Sequence, residues 1–514
     1  MYFLRCMAIR PSSSVPNRHQ DGHSAPKQLP TSASSRSTSV PKRVATPKVA
    51  APPKKRFSRR AIWEILLAIA LCGFAIAGLV RMGQVGLHLL LSPQSFSWVN
   101  RWIPGWITLR VTEATPKTLH DIRDDLKKAG QRTGEVIPLG KGVSFLDGKS
   151  AATDLLLPVL KSQVNCQADC DRVVELRVYQ TSPGSQTPQG ESAYYLVSQL
   201  AVKGPEESFV VAPLVDAHSD SQGSSHALPL AHLSRFEGKV PAQGIWLNLS
   251  GRRQWGNDTI AYGQIIHYYP KHHHLAVKLQ WTSPTGEAPI WKQVTGNSNP
   301  ELIVNHTLGL EPQFEIYQVK PFKFISSPVQ LEEVSLADPV LQNPAYRDAM
   351  LLARNGLWST SLEELQALKQ QLPKKQWTVA VQAQMDVVRW HAQVTKVQAE
   401  GSWASPGQQV MANLIDGRWQ SALLAFQASA AAIQETAAIL KGDPGRLAKR
   451  VKTALQLHPA QTELMTWNSL LIAAQQNPGA AIAGLKQQKL TPKDRLAITT
   501  LIKRLEQTSR ESGY

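Results

Sequence analysis

The chain has 514 residues, 18% of them charged and 42% hydrophobic, with a formal net charge of +18. That length exceeds one ordinary domain and allows two or three, each with its own core. Residues 1–60 hold thirteen Lys or Arg and one acid, Asp21, a net of +12, which leaves +6 over the other 454 residues. The excess is confined to one end, so the body of the chain has an ordinary surface balance.

Segment 1–60 also contains eight prolines, ten serines and three aromatics. It cannot bury enough apolar surface to fold, so a disordered basic tail is expected. The tail ends in "PKKRFSRR", and Ile62–Val80 then runs for nineteen residues with one charge, Glu64. As a helix this run is roughly 29 Å long, the thickness of the hydrocarbon core of a bilayer. The expectation is a single membrane-spanning helix within 61–91, with Glu64 paired to Arg60. A buried core helix is one alternative, and a signal peptide cleaved after "AIA" (Ala75–Ala77) is another. The basic region before the apolar run is sixty residues long, far more than a signal peptide carries. Residues 41–60 hold eight Lys or Arg, whereas residues 81–110 hold Arg81, Arg101 and Arg110. The positive-inside rule then puts the N-terminus in the cytoplasm and everything after residue 91 outside. Phe96, Trp98, Trp102 and Trp106 suit an interfacial belt and the first core residues of the next domain equally well. Cys6 lies in the tail and Cys72 in the span. Cys166 and Cys170, in "NCQADCD", are the two cysteines expected outside, where a short disulfide can form. Their spacing is wrong for a redox pair, and two cysteines alone make no structural zinc site.

Residues 92–335 are expected to form a β-rich domain. "TLHDIRDDLKKAG" is an amphipathic helix with Leu119, Ile122, Leu126 and Ala129 on one face. "RVVELRVYQT", "SAYYLVSQLAV", "SFVVAPLV" and "GIWLNLS" are taken as strands between Pro/Gly/Ser-rich loops. "GQIIHYYPKHHHLAV", Gly263 to Val277, places four histidines within fifteen residues. Alternation on both sides of "PKHH" predicts a hairpin that pairs Tyr269 with His274. Ile266 and Tyr268 then sit beside Val277 and Leu275 on an apolar face, while His267 and His274 share a polar, solvated one. These two are the weak metal candidates. No Asp or Glu lies between Asp258 and Glu287 to serve as ligand or to orient an imidazole, so neither a metal nor any other cofactor is expected.

Other chemical patterns fall short. Gly142, Gly148, Lys149 and Ser150 imitate a phosphate-binding loop, but the glycines are six apart where that loop needs five. Asp216, His218 and Asp220 lie in a Ser/Gly-rich loop of the hydrated kind. No nucleophile elbow, His-Glu-x-x-His or dinucleotide fingerprint occurs, and no catalytic residue can be named.

After a linker at 336–344, residues 345–509 are rich in Ala, Leu and Gln. "LLARNGLWSTSLEELQAL" and "ANLIDGRWQSALLAFQAS" each contain a helix, a glycine, one residue, a tryptophan and a second helix. Gly356 and Gly417 are 61 residues apart, and Gly479 in "IAAQQNPGAAIAGLKQQ" lies another 62 on. Stacked helical pairs are expected, each burying its apolar face on the next. "DGRWQSALLAFQAS" resembles the turn and second helix of a tetratricopeptide repeat, with Trp419, Ala422 and Phe426 at packing positions. "ALQLHP", Ala454 to Pro459, is similar to the end of such a repeat. The resemblance covers pieces of this last region only, and its spacing is nearer 61 than the family's 34.

The fold class expected is multidomain α+β: one membrane-spanning helix, a β-rich middle and an all-α helical repeat. The function expected is a membrane-anchored interaction scaffold, with an envelope enzyme as the alternative. Its partners would be membrane or envelope proteins at the helical repeat and anionic lipid headgroups at the basic tail. No nucleic acid is expected, since clustered Lys and Arg beside a span are drawn to lipid.

Overall fold

The computed structural model describes residues 115–143, 151–162, 171–186, 191–214, 223–322 and 328–511. Three antiparallel sheets come first. The first sheet orders β1 (Lys117–Thr118), β6 (Ser192–Ala201), β5 (Asp171–Gln186), β4 (Ala151–Ser162) and β2 (Arg132–Thr133), with β3 (Ile137–Val143) also on β4. The second is a meander of β7 (His232–Arg235), β8 (Ile245–Trp255), β9 (Asp258–Tyr269) and β10 (His274–Ser283). The third is a meander of β11 (Ile290–Lys292), β12 (Glu301–Asn305), β13 (Phe314–Pro321) and β14 (Val329–Glu333).

Side chains alternate across each strand, and both alternating sets of the second sheet are buried. Ile260, Tyr262, Ile266 and Tyr268 of β9 join Leu156, Leu176 and Val178 of the first sheet in one core. Their neighbours Ala261 and Ile265 join Trp246, Trp281, Leu302 and Val304 in a second core, against the third sheet. The outer face of the first sheet is covered by α1 (Leu119–Lys128), whose Ile122 and Leu126 pack on Leu157, Val159, Tyr179 and Leu196. A capping box between Thr118 and Asp121 starts that helix. A polar tie crosses the first core. Asp154 of β4 is fully buried and accepts from Gln180 Nε2 (2.7 Å) and the Tyr268 hydroxyl (2.8 Å). Burial pushes its carboxyl above the ordinary range, against the hydrogen bonds that lower it.

One expected strand is a helix. "SFVVAPLV" forms α2 (Glu207–Val211) and a 3-10 turn, Ala212–Leu214. A short apolar run fits a buried strand or a buried helix equally well. Here Glu207 N–H donates to His226 and Ser208 N–H to Ser224, bonds that hold the segment as a plug with Val210 and Val211 in the core.

From β14 the chain crosses to the helical region along a pinned strap. Gln384 Nε2 donates to the carbonyls of Ser335 (2.6 Å) and Asp338 (2.9 Å), and its Oε1 accepts from the Tyr346 hydroxyl (2.7 Å). Ten helices follow: α3 (Pro344–Arg354), α4 (Trp358–Gln371), α5 (Val379–Glu400), α6 (Pro406–Asp416), α7 (Trp419–Gln427), α8 (Ala430–Gly442), α9 (Arg446–Leu457), α10 (Thr462–Gln475), α11 (Pro478–Leu485) and α12 (Pro492–Glu511). The α3–α4 and α6–α7 turns share one geometry, with Gly356 at φ 77° and Gly417 at φ 80°, a region that suits glycine. The expected third turn differs. Gly479 lies inside α11, after an Asn477 cap and Pro478 at the first position.

In the helical region α9 packs back on α3. One core runs from Leu352 to Leu505, including Trp419, Phe426 and Trp467. The fold class and localisation built on a membrane-spanning helix need correction. Among the described residues, no helix is long and apolar enough to cross a membrane. The longest, α5, carries Asp386, Arg389, Lys396 and Glu400, so it is an amphipathic helix that packs on protein. The segments 1–60 and 61–91, the aromatics at 96–106, Cys166 and Cys170 lie outside the described residues. The fold described is a stack of three sheets followed by a helical region.

Trp419 is the pivot of the helical core: it is 5% exposed, and its carbonyl accepts from Trp467 Nε1 (3.0 Å). Trp419→Ala is expected to destabilise the helical region by ~3–5 kcal/mol, as large core truncations do, measured as a shift in urea midpoint. Tyr268→Phe, which removes one donor from buried Asp154, is expected to cost about 1–3 kcal/mol in the same measurement.

Candidate functional site

The histidine hairpin has the expected register, Tyr269 opposite His274 and Leu275 opposite Tyr268. Its second face, however, is not solvated. His267 is fully buried, with its ring 4.5 Å from Trp246 and its Nε2 2.7 Å from the Gln243 carbonyl. His274 is 8% exposed. The third sheet lies over this face, and the sequence around the hairpin gives no sign of it. Burial lowers the affinity of both imidazoles for protons, and the charge of Lys278, which shares the site and donates to the Val329 carbonyl (2.7 Å), lowers it further. The same positive charge repels a metal cation. Among the described residues, no group of three or more His, Cys, Asp or Glu is placed to hold a metal ion. The residues of the other two patterns, Gly148–Ser150 and Asp216–Asp220, lie outside the described residues.

The feature that collects functional groups is a cleft of about 650 Å3 between the sheets and the helices. Its sheet-side wall comes from α2 and the turn after it (Phe209, Ala212, Pro213), Thr282 of β10, and the β12–β13 loop from His306 to Gln313. Its helix-side wall comes from the α3–α4 turn (Arg354 to Trp358) and from Arg446, Lys449 and Arg450 of α9. Among the described lining residues, the cationic side chains are Arg354, Arg446, Lys449 and Arg450, and the carboxylates are Glu311 and Glu315.

Local sequence explains the cationic wall. In "GRLAKRVKT" Arg446, Lys449 and Arg450 are spaced i, i+3 and i+4, so they share one helical face. Asp443 accepts from the backbone N–H groups of Leu447 and Ala448 and fixes where α9 begins. Arg450 is 4% exposed, and its Nε donates to the Asn355 carbonyl (3.3 Å). It fits there because Gly356 has no side chain: a Cβ would meet Arg450 Nη2 at 2.4 Å. Burial works against the charge on Arg450, and Glu311, with Nη1 to Oε1 at 3.5 Å, supports it. Lys449 is exposed and makes no ion pair among the described residues.

The opposite wall is a linked polar set. His306 Nε2 lies 3.2 Å from Glu315 Oε2, which also accepts from the Tyr317 hydroxyl (2.7 Å). Burial alone raises the Glu315 carboxyl, but His306 and Tyr317 outweigh it and hold it below its ordinary range. Beneath the cleft, His391 of α5 joins the two walls. Its Nε2 accepts from the Phe314 N–H (2.9 Å), so Nδ1 carries the proton and donates to the Val387 carbonyl (2.9 Å). The ring stacks on Trp358 at 4.0 Å.

None of the residues singled out from the sequence lies in this cleft apart from Gly356 and Trp358 of the repeated turn. The spacing within α9 is the one signal that could have found its cationic wall, and nothing local says that β12–β13 faces it. Comparison with protein family models, curated proteins and solved structures gives no match. None of these comparisons identifies a tetratricopeptide-like repeat in the helical region.

Two imidazoles are held neutral by burial, His267 and His391, each lowered from 6.5 to about 4. The unfolded chain then binds more protons than the folded one between those values. Stability is complete above pH 6.5 and falls as the pH drops towards 4, by on the order of 3 kcal/mol for each ring. The urea midpoint of the native protein should fall between about pH 7 and pH 5, and His267→Gln with His391→Gln should flatten that fall. An already flat native profile contradicts the assignment.

Proposed function

We propose that this protein is a binding protein, an interaction module without chemistry of its own, whose partner enters the cleft between the third sheet and the helices. The observation that carries this reading is the cationic face of α9. Arg446, Lys449 and Arg450 point into a cavity of about 650 Å3, a size suited to a bound segment or small ligand. Such a concentration of charge has a cost. Burying Arg450 without strong pairing is unfavourable, and a positively lined cleft adds nothing to the stability of either half.

The apolar wall supports the same reading. Phe209 is 40% exposed although it belongs to a helix whose Val210 and Val211 plug the core. Leu308 and Pro312 add further apolar lining to the cleft. Apolar surface next to clustered charge is the usual composition of a recognition site, where a few polar groups orient a ligand held mainly by contact area. The rigid attachment of the walls, through His391 and the Gln384 strap, presents this surface ready formed.

Two variants of the full-length protein test the location. Ala212→Trp fills the cleft, and Leu424→Glu alters the exposed face of α7, where Leu424 is 63% exposed. A partner recovered by crosslinking with the native chain should be lost with Ala212→Trp and kept with Leu424→Glu, with both variants melting as the native protein does. The reverse pattern would move the binding surface to the outer helical face.

A further inference from the structure

The two walls of the cleft share one side chain whose hydrogen bonds fix its proton count. His391 is 2% exposed and commits both ring nitrogens. Its Nε2 accepts from the Phe314 N–H of β13, and its Nδ1 donates to the Val387 carbonyl, each at 2.9 Å. A neutral imidazole has one donor and one acceptor, and both are used here. A second proton can enter only at Nε2, where it sets a ring N–H against the N–H of Phe314. That hydrogen bond is then lost, and a backbone donor is left facing a positive charge. His267 is different. Its Nδ1 makes no hydrogen bond among the described residues, so a proton there costs burial of charge without breaking a bond.

The helical side loses nothing in the same event. An imidazolium still donates from Nδ1 to Val387, and its ring stays on Trp358, where the stacking distance is 4.0 Å and the indole face attracts a cation. The charged groups on the surrounding elements are engaged elsewhere. Glu315 of β13 is taken by His306 and the Tyr317 hydroxyl, Asp386 of α5 by Arg389, and Asp416 at the end of α6 by Thr395 and Arg418. Glu364 of α4 lies 3.0 Å from His458, Arg450 of α9 donates to the Asn355 carbonyl, and Lys292 of β11 sits over the Trp390 ring. Among the described residues no carboxylate bonds to His391, so nothing there compensates a charge on the ring. From this asymmetry we infer that His391 is an acid-released latch between the walls of the cleft: on taking a second proton it lets go of the β12–β13 loop at Phe314 and stays with the helices. Ile303 and Ile316 keep their apolar contact with Val387 of α5, so the rest of the third sheet remains docked. The latch goes beyond the binding function proposed above and does not depend on it.

Hydrogen exchange at the Phe314 amide reads the latch in the full-length protein with no partner present. Burial lowers the pKa of the held ring from 6.5 to about 4, and a released ring regains the higher value. The released form therefore binds more protons between those values, and opening becomes easier as the pH falls below 6.5. Between about pH 7 and pH 5 the protection of the Phe314 amide, corrected for the intrinsic exchange rate, should fall about twentyfold. In His391→Gln, whose amide can accept from Phe314 and donate to Val387 without titrating, that fall should disappear. At the lower pH the native Phe314 amide should also exchange ahead of the β12 amides. Protection that does not change with pH, or that changes equally in His391→Gln, overturns the latch. Equal protection of Phe314 and β12 at both pH values overturns it as well, since the two then open only by unfolding together. Should the glutamine variant fail to fold, nitrogen-15 histidine spectra of the native protein are the second measurement. They should show the His391 ring with its proton on Nδ1 at neutral pH, and a proton on Nε2 instead overturns the proposal.

Discussion

Burial of the second sheet on both faces is the constraint from which the rest of the molecule follows. β9 contributes Ile260, Tyr262, Ile266 and Tyr268 to one core, and Ala261 and Ile265 to another. A sheet with two apolar faces has to be covered twice, and the first and third sheets are those covers. The first sheet then needs a cover of its own, which α1 supplies, and the third receives α5, whose Val387 meets Ile303 and Ile316. Each layer is required by the apolar face of the one before it. The buried polar groups inside the stack, Asp154 and His267, survive because hydrogen bonds meet part of their demand.

The position of the cleft is a consequence of how that series ends. The helical region meets the third sheet through α5, and α9 approaches the β12–β13 loop through Arg446, Arg450 and Glu311, with the cleft between. Its walls are fixed by a few interactions that tolerate little change. His391 accepts from Phe314 and stacks on Trp358, and Gln384 fastens the strap. Gly356 leaves the space that Arg450 fills. A side chain at Gly356 would meet both a positive φ and the guanidinium, so the turn that shapes the helical pair also sets the cationic wall. Structure and recognition share residues here, and the same buried charge that gives the cleft its character works against the stability of the fold.

Two groups of histidines show how one residue type acquires different roles from its surroundings. His267 and His391 are enclosed, neutral and structural, His267 with one ring nitrogen and His391 with both committed to the backbone. His306 stands in the cleft beside Glu315 and belongs to its polar wall. Density of histidine along the chain pointed to the hairpin, whereas the histidine at the proposed site is an isolated one in the β12–β13 loop.

Local patterns alone determined a good deal. Alternation on either side of "PKHH" set the hairpin and its register, the capping residues set α1, and the Gly-x-Trp turns set two helical pairs with Trp358, Trp419 and Phe426 inside. All of these depend on neighbours within a few residues, where periodicity and turn chemistry act directly. Tertiary structure decided what lies opposite each face. The polar-looking side of β9 became a core because another sheet covers it, and "SFVVAPLV" became a helical plug because bonds to Ser224 and His226 hold it. The contact of α9 with α3 joins helices far apart in the chain. The cleft joins residues from Phe209 to Arg450, so no window of sequence contains it. A sequence states which faces are apolar, but only the packed chain states which two faces meet, because that choice is made by long-range burial and not by local propensity.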